Sequence, residues 1–207
     1  NIYDPNARIV LEAKYQQGER MPRYDIDLKA DSVDLHALKL IDIHEGKSFS
    51  TRLEGVLHGN DLDHLIGKIE IDNITMHRGE DDYNTGEVII ASNEIEKKSI
   101  SISSQFLDAN FVTDFDYKDL VATLSDHIRR YLPSLNSTKT ALASNTDYKD
   151  CYVQLWVRDA APFRELLLLP ISIDRLIEAK AMLQTLPHES WASIKANHIN
   201  YNGHNFN

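Results

Sequence analysis

One cysteine, Cys151, in 207 residues leaves no means of building an intrachain disulfide framework or a zinc site from several thiolates. The chain is equally short of positive charge: 22 Lys and Arg stand against 32 Asp and Glu, a formal net charge of -10. That balance argues against nucleic acid or an anionic membrane surface as partner, since both are bound through basic patches. Long apolar runs are missing too. Leu166 to Leu169, with Pro170 and Ile171 behind it, falls far short of the roughly 20 residues a membrane-spanning helix needs. No initiator Met and no signal-peptide core are present, so the chain reads as part of something longer. What it does have is 42% hydrophobic and 26% charged residues, enough to bury a sizeable core.

The apolar residues follow a period of two through most of the first half, as strands with one buried face require. Ile9, Leu11, Ala13 and Tyr15 oppose Val10, Glu12 and Lys14; Tyr24, Ile26, Leu28 and Ala30 oppose Asp25, Asp27 and Lys29. The pattern returns in Phe49 to Leu57, in Lys68 to Met76, in the short stretches Glu87 to Ser92 and Ser99 to Ser103, and in Phe106 to Phe115. Leu35, Leu38 and Ile41 are spaced for a short helical turn after a capping Asp or Ser, and His77 to Tyr83 reads as a polar loop.

From Asp116 to Leu132 the period changes: Leu120, Val121, Leu124, Ile128 and Tyr131 fall at three and four residue spacings, the stripe of an amphipathic helix ended by Pro133. Residues 134–147, rich in Ser, Thr and Asn, read as a linker. Strand alternation resumes at Cys151 to Val157, and Ala160 to Leu169 fits a short helix with Pro162 in its first turn, where the missing N–H costs least. Ile171 to Leu186 fits helix or strand, and Ser193 to Tyr201 is a last strand. The chain thus divides into a β-rich unit over 1–133, a linker over 134–147, and the start of a further β-rich unit over 148–207.

No enzyme signature stands out: a phosphate-cradling Gly-rich loop, G-x-S-x-G, H-E-x-x-H and a Cys pair are all missing. Asp61, Asp63 and His64, with His58 nearby, are plausible metal ligands in type, but a turn after Gly59-Asn60 wants Asp for its own backbone bonds. Glu80-Asp81-Asp82 lacks the spaced ligands and closing Glu of a calcium loop. His188, His198 and His204 lack helical ligand spacing, Cys151 opens an apolar strand face as a structural thiol would, and the sequons at Asn73 and Asn136 read as chance. The expectation is therefore no catalytic residue, no metal and no cofactor.

Two blocks carry a resemblance. Leu53-Glu-Gly-Val-Leu-His-Gly-Asn-Asp-Leu-Asp-His-Leu-Ile-Gly-Lys-Ile-Glu-Ile-Asp-Asn-Ile, then Ser101-Ile-Ser-Ser-Gln-Phe-Leu-Asp-Ala-Asn-Phe and Tyr117-Lys-Asp-Leu, resemble the repeating unit of large AsmA-like proteins of the TamB type, in the style of Bacteroidetes members. In that family a Leu-containing turn leads into a Gly-x-Ile-x-Ile strand. A later Ser-x-x-x-Asp-Ala strand precedes a helix ending in Tyr-Leu-Pro. The resemblance runs from about Arg23 to Pro133, and Asp159 to Asn207 resembles the start of a further repeat.

What the resemblance implies is an internal segment of a translocation and assembly module, anchored in the inner membrane and extending through the periplasm. Its fold would be mostly β, a curved amphipathic sheet with a long apolar groove (a β-taco) and a few short helices. Its work would be inter-membrane lipid transport or outer-membrane biogenesis, with phospholipid or nascent outer-membrane protein as cargo and a BamA-like barrel as partner. On that reading Leu53, Leu57, Ile69, Ile71, Leu107, Phe111 and Phe115 line the groove and no covalent step is involved. The same apolar residues fit a closed β-sandwich, a binding or adhesion-type module whose ligands meet polar loops such as Asp61 to His64. An isolated segment could also dimerise through unpaired strand edges.

Overall fold

The computed structural model describes every residue except 1, 118, 121, 124–147, 174–175, 186–189, 197 and 207. The alternating segments become strands that pair antiparallel with the next in sequence: β1 (Ile2–Asp4), β2 (Ala7–Gln16), β3 (Arg23–Val33), β4 (Ser48–His58) and β5 (Ile66–Arg78). β6 (Asp81–Asn84) folds back on β5, and the sheet continues through β7 (Val88–Glu94), β8 (Lys98–Ser104) and β9 (Leu107–Thr113). β10 (Asp150–Val157) pairs with β9, so the sheet runs on across 114–149 into β12 (Ile177–Gln184) and β13 (Trp191–Lys195). The result is one open 12-stranded sheet in the order β1-β2-β3-β4-β5-β7-β8-β9-β10-β12-β13, with β6 paired to β5 off that path. β11 (Ile171–Ile173), β14 (Ile199–Tyr201) and β15 (His204–Phe206) form a separate three-stranded sheet. The fold is mostly β, as the alternation requires, and the large sheet is not closed into a sandwich or barrel.

Residues 35–39 keep the short capped turn read from the sequence, Asp34 Oδ1 accepting from the Ala37 N–H at 2.8 Å and the Asp34 carbonyl from the Leu38 N–H at 3.1 Å. Other local expectations change. The polar stretch after His77 is a tight hairpin: Arg78 pairs with Asp81 and Gly79 takes the positive φ of 69° that such a turn needs. Within the stretch read as helix or strand, Ile171–Ile173 and Ile177–Gln184 are strands β11 and β12, and the last expected strand falls partly in β13 and partly in β14, which belong to different sheets. Helix α1 (Ala161–Leu167) forms as expected, with Pro162 in its first turn. Of the helix read over 116–132, residues 117, 119, 120, 122 and 123 are helical. The rest of it, and the 134–147 linker, lie outside the described residues.

Two bulges set the register. Arg52 opposes Asn73 and Leu53 opposes Ile71, so Asp72 is an extra residue, and Ile74 and Met76 return to the face that Ile69 and Ile71 occupy. In neighbouring β3 the register slips between Ala30 and Val33, which puts Val33 beside Phe49 on that same face. Without these slips the period of two would turn Ile74, Met76 and Val33 toward the polar side.

α1 follows β10 in sequence yet bonds to groups on the β3–β4 connection and at the end of β5. Four inter-strand steps separate β10 from β5, about 19 Å in a flat sheet. A seven-residue helix spans about 10 Å. The helix and the residues leading into it therefore reach back from the end of β10 to the β3–β4 connection and the end of β5.

Candidate functional site

In antiparallel sheets directly paired residues share a face, so the registers sort every side chain. Leu28 opposes Leu53, Leu53 opposes Ile71, and Ile71 opposes Val88; one row along, Ile69, Ile90 and Ile102 succeed each other. Ile100 meets Phe111, Phe111 meets Val153, and Val153 meets Ala181. The apolar face therefore continues from β2 to β13. The opposite face carries the charges, held in ion pairs such as Arg23 with Asp25 at 2.7 Å and Arg52 with both Asp27 and Glu54 at 3.3 and 2.6 Å.

Leu53, Leu57, Ile69, Ile71, Leu107 and Phe111 all lie on the apolar face, and each is half-buried. Phe115 does not line it in the same way. It follows β9, is 2% exposed, donates its N–H to Thr113 Oγ1 at 2.9 Å, and plugs one end of the sheet. Ile26, Leu28, Ile90, Ile102, Val153 and Leu155 belong to the face as well. Their alternation was visible in the sequence, but only strand order shows that they share a side with Leu53. Gly67 explains the Gly-x-Ile-x-Ile spacing: a Cβ there would lie 2.1 Å from the Val56 carbonyl oxygen, and its φ is 142°.

Recesses among the described residues indent this face. One of about 330 Å³ lies among Val33, Leu35, Phe49, Leu53, Ile71 and Ile74. A second, about 370 Å³, lies among Tyr15, Tyr24, Ile26, Leu57 and Leu65, and a third, about 310 Å³, among Phe111, Leu120, Val153, Ala181 and Leu183. Their linings are almost wholly apolar, so a ligand there gains roughly 25 cal/mol per Å² of apolar surface removed from water.

Polar clasps hold the end of the sheet near Phe115. Asp61 caps the 3-10 turn Leu62–His64 by accepting from the His64 N–H, Asp63 Oδ1 accepts from the Tyr117 N–H at 2.7 Å, and His64 Nδ1 lies 3.0 Å from both Glu94 carboxylate oxygens. The bond to Glu94, reinforced by its charge, raises the His64 pKa above its ordinary value. Lys98, 8% exposed, donates to Asp116 at 2.7 Å; burial pulls its pKa down, but the Asp116 bond and charge outweigh it and the net shift is upward. Lys97 bridges Asp114 and Asp150, tying the ends of β9 and β10. Asp61, Asp63 and His64 are thus engaged in local structure. Among the described residues no group of three or more His, Cys, Asp or Glu side chains is placed to hold a metal ion. Cys151 is 1% exposed, and burial pushes its thiol up to about 11.

One arrangement escaped the sequence reading. Ser50 Oγ lies 2.9 Å from His77 Nε2, and His77 Nδ1 lies 2.8 Å from Asp82 Oδ1, the connectivity of a hydroxyl activated through histidine. The bulge in β3 turns the Ser32 N–H onto the same Ser50 oxygen at 3.0 Å. The group sits on the polar face, away from the apolar recesses. Its evident effect is to pin β3, β4, β5 and β6 together.

No protein-family model, curated protein or solved structure matches the chain. The site is accordingly defined by its geometry alone: a predominantly apolar face on an open sheet, indented by recesses and walled by polar clasps at its ends.

Proposed function

We propose that this chain acts by burial, as a segment of a periplasmic, inner-membrane-anchored protein of the AsmA-like, TamB type, shielding acyl chains or nascent outer-membrane strands from water. The observation that supports this reading is the register that puts Leu28, Leu53, Ile71, Ile90, Phe111 and Val153 on one face of an unclosed sheet while the ion pairs occupy the other. A sheet with one apolar face must meet a second apolar layer, and half-buried residues across its middle leave room for one. Phospholipid supplies such a layer without any covalent chemistry, and a BamA-like barrel is the partner this role would serve.

The test is native mass spectrometry of the purified chain with lipid extraction from the same sample. Bound phospholipid, lost in Leu53→Glu or Ile71→Glu while circular dichroism holds, is the expected result. A lipid-free monomer that takes up no hydrophobic dye overturns the reading.

A further inference from the structure

We propose that α1 is a lid over one end of the apolar face, clasped shut by His44 and Arg78, and that releasing it lengthens the space open to an acyl chain. This rests on the reading of that face as an acyl-binding surface.

Two elements distant in sequence meet at this end. His44, on the β3–β4 connection, is 5% exposed; its Nε2–H donates to the Leu166 carbonyl at 2.7 Å, while Lys47 Nζ lies 3.3 Å from Nδ1, an arrangement that fixes the proton on Nε2. The imidazole stands edge-on to Phe49, ring centroids 5.4 Å apart, beside the recess that Phe49 lines. Arg78 Nη1 binds Glu165 Oε2 at 2.7 Å, and Phe163 packs edge-on against Phe106 at 5.7 Å. By register Phe49, Met76 and Tyr83 share the apolar face, and Met76 is fully enclosed at 0% exposure. The helix therefore closes the end of the face that the 330 Å³ recess adjoins.

The closure is lightly built. Seven residues are below the length at which a helix persists without packing. Ala160 makes no side-chain cap, the Ala161 N–H being held instead by Asp159 Oδ1 at 2.8 Å, and the C-cap, Leu168, takes a left-handed φ of 53° that favours glycine. Arg78 and Glu165 are 36% and 25% exposed, so their ion pair is partly screened by water. Leu167, Leu168 and Leu169 remain 57%, 48% and 42% exposed after docking. Ala160 and Pro162 are buried and Phe163 is packed, so the N-terminal turn is seated, whereas the C-terminal half, held by the His44 and Arg78 contacts, is the part that opens first.

The experiment joins the lid to the sheet. Arg78→Cys with Glu165→Cys, linked by a short bis-maleimide, locks α1 down; Cys151 is enclosed and its thiol is pushed up to about 11, so it stays silent. Calorimetric titration with dodecanoate and with octadecanoate is then compared for linked and unlinked protein. The expected result is dodecanoate binding unchanged and octadecanoate about tenfold weaker in the linked form. Arg78→Glu alone is expected to favour octadecanoate, and Arg78→Glu with Glu165→Arg to restore the original ratio, an arm that needs no crosslink. Equal chain-length preference in all forms overturns the lid and leaves the groove standing. No binding of either fatty acid by any form, native chain included, overturns the groove and the lid with it.

Discussion

The apolar face is not uniform: its two ends and its middle are packed differently. At the α1 end Val33, Met76, Val88, Val157 and Ile177 are 5%, 0%, 8%, 9% and 8% exposed, and at the far end Thr113, Cys151 and Phe115 are 0%, 1% and 2%. Between them Leu28, Leu53, Ile71, Ile90 and Leu155, chemically as apolar, are only half-buried. The difference follows from what covers each part. Chain segments fold over the rims, α1 and residues 34–47 at one end and residues 114–117 at the other, whereas no second large sheet faces the middle among the described residues. Rim residues are enclosed, whereas the middle of the face is only half covered by the described residues.

This contrast is broken most directly by truncation. Met76→Ala removes a fully enclosed side chain and is expected to cost about 3 kcal/mol through lost transfer energy and the cavity left behind. Leu53→Ala, in the half-buried middle, is expected to cost about 1 kcal/mol, since part of its surface already meets solvent. Urea unfolding of the two variants measures both. Equal losses would mean that the middle is ordinary core and would return the closed-module reading to favour.

Cys151 sharpens the same contrast chemically. Its thiol sits on the apolar face beside Thr113 and Leu183, and burial pushes it up to about 11 from an ordinary 9.0. Because the folded chain favours the neutral thiol, stability from this group is intact below pH 9 and is lost as the pH rises toward 11, where only the unfolded chain ionises readily. Labelling by a chromogenic disulfide at pH 8 is expected to proceed at the rate of unfolding. Rapid labelling of the native chain would show that this rim opens as freely as the middle.

The sequence carried most of the architecture because period-two alternation reports directly on which side of a sheet is buried. Leu53, Ile71 and Phe111 could be assigned to apolar strand faces from spacing alone, and the structure puts them on one face. The bulges at Asp72 and between Ala30 and Val33 were hidden, because an extra residue looks the same as alternation ending; only the partner strand reveals that Met76 returns to the apolar side. Phe115 keeps the alternation of β9 past the strand's end, where the chain bends and encloses its ring, a difference from half-buried Leu107 and Phe111 that spacing alone does not show. The His77 to Tyr83 hairpin was missed because its four-residue return strand carries only Tyr83 on the apolar side, too little for a hydrophobic period to show. The α1 clasps join residues 87 and 122 positions apart, beyond the reach of any local pattern.

The smallest expected effect lies at the far rim, where His64 and Glu94 are 50% and 35% exposed and water screens their pairing. The Glu94 bond raises the His64 pKa above 6.5, so its contribution is fully present below pH 6.5, where folded and unfolded chains are both protonated, and disappears as the pH climbs through the folded value. NMR titration of the His64 ring should give a midpoint above 6.5 that moves back toward 6.5 in Glu94→Gln, together with a flatter pH dependence of the urea midpoint over the same window. Asp63 holds the Tyr117 N–H through a bond that does not use the imidazole, so the turn stays docked when the histidine loses its proton. A titration that ignores Glu94→Gln would mean that this rim is closed by the Asp63 and Lys98 contacts alone, and the two ends of the face would then differ in having one clasp that senses charge or none.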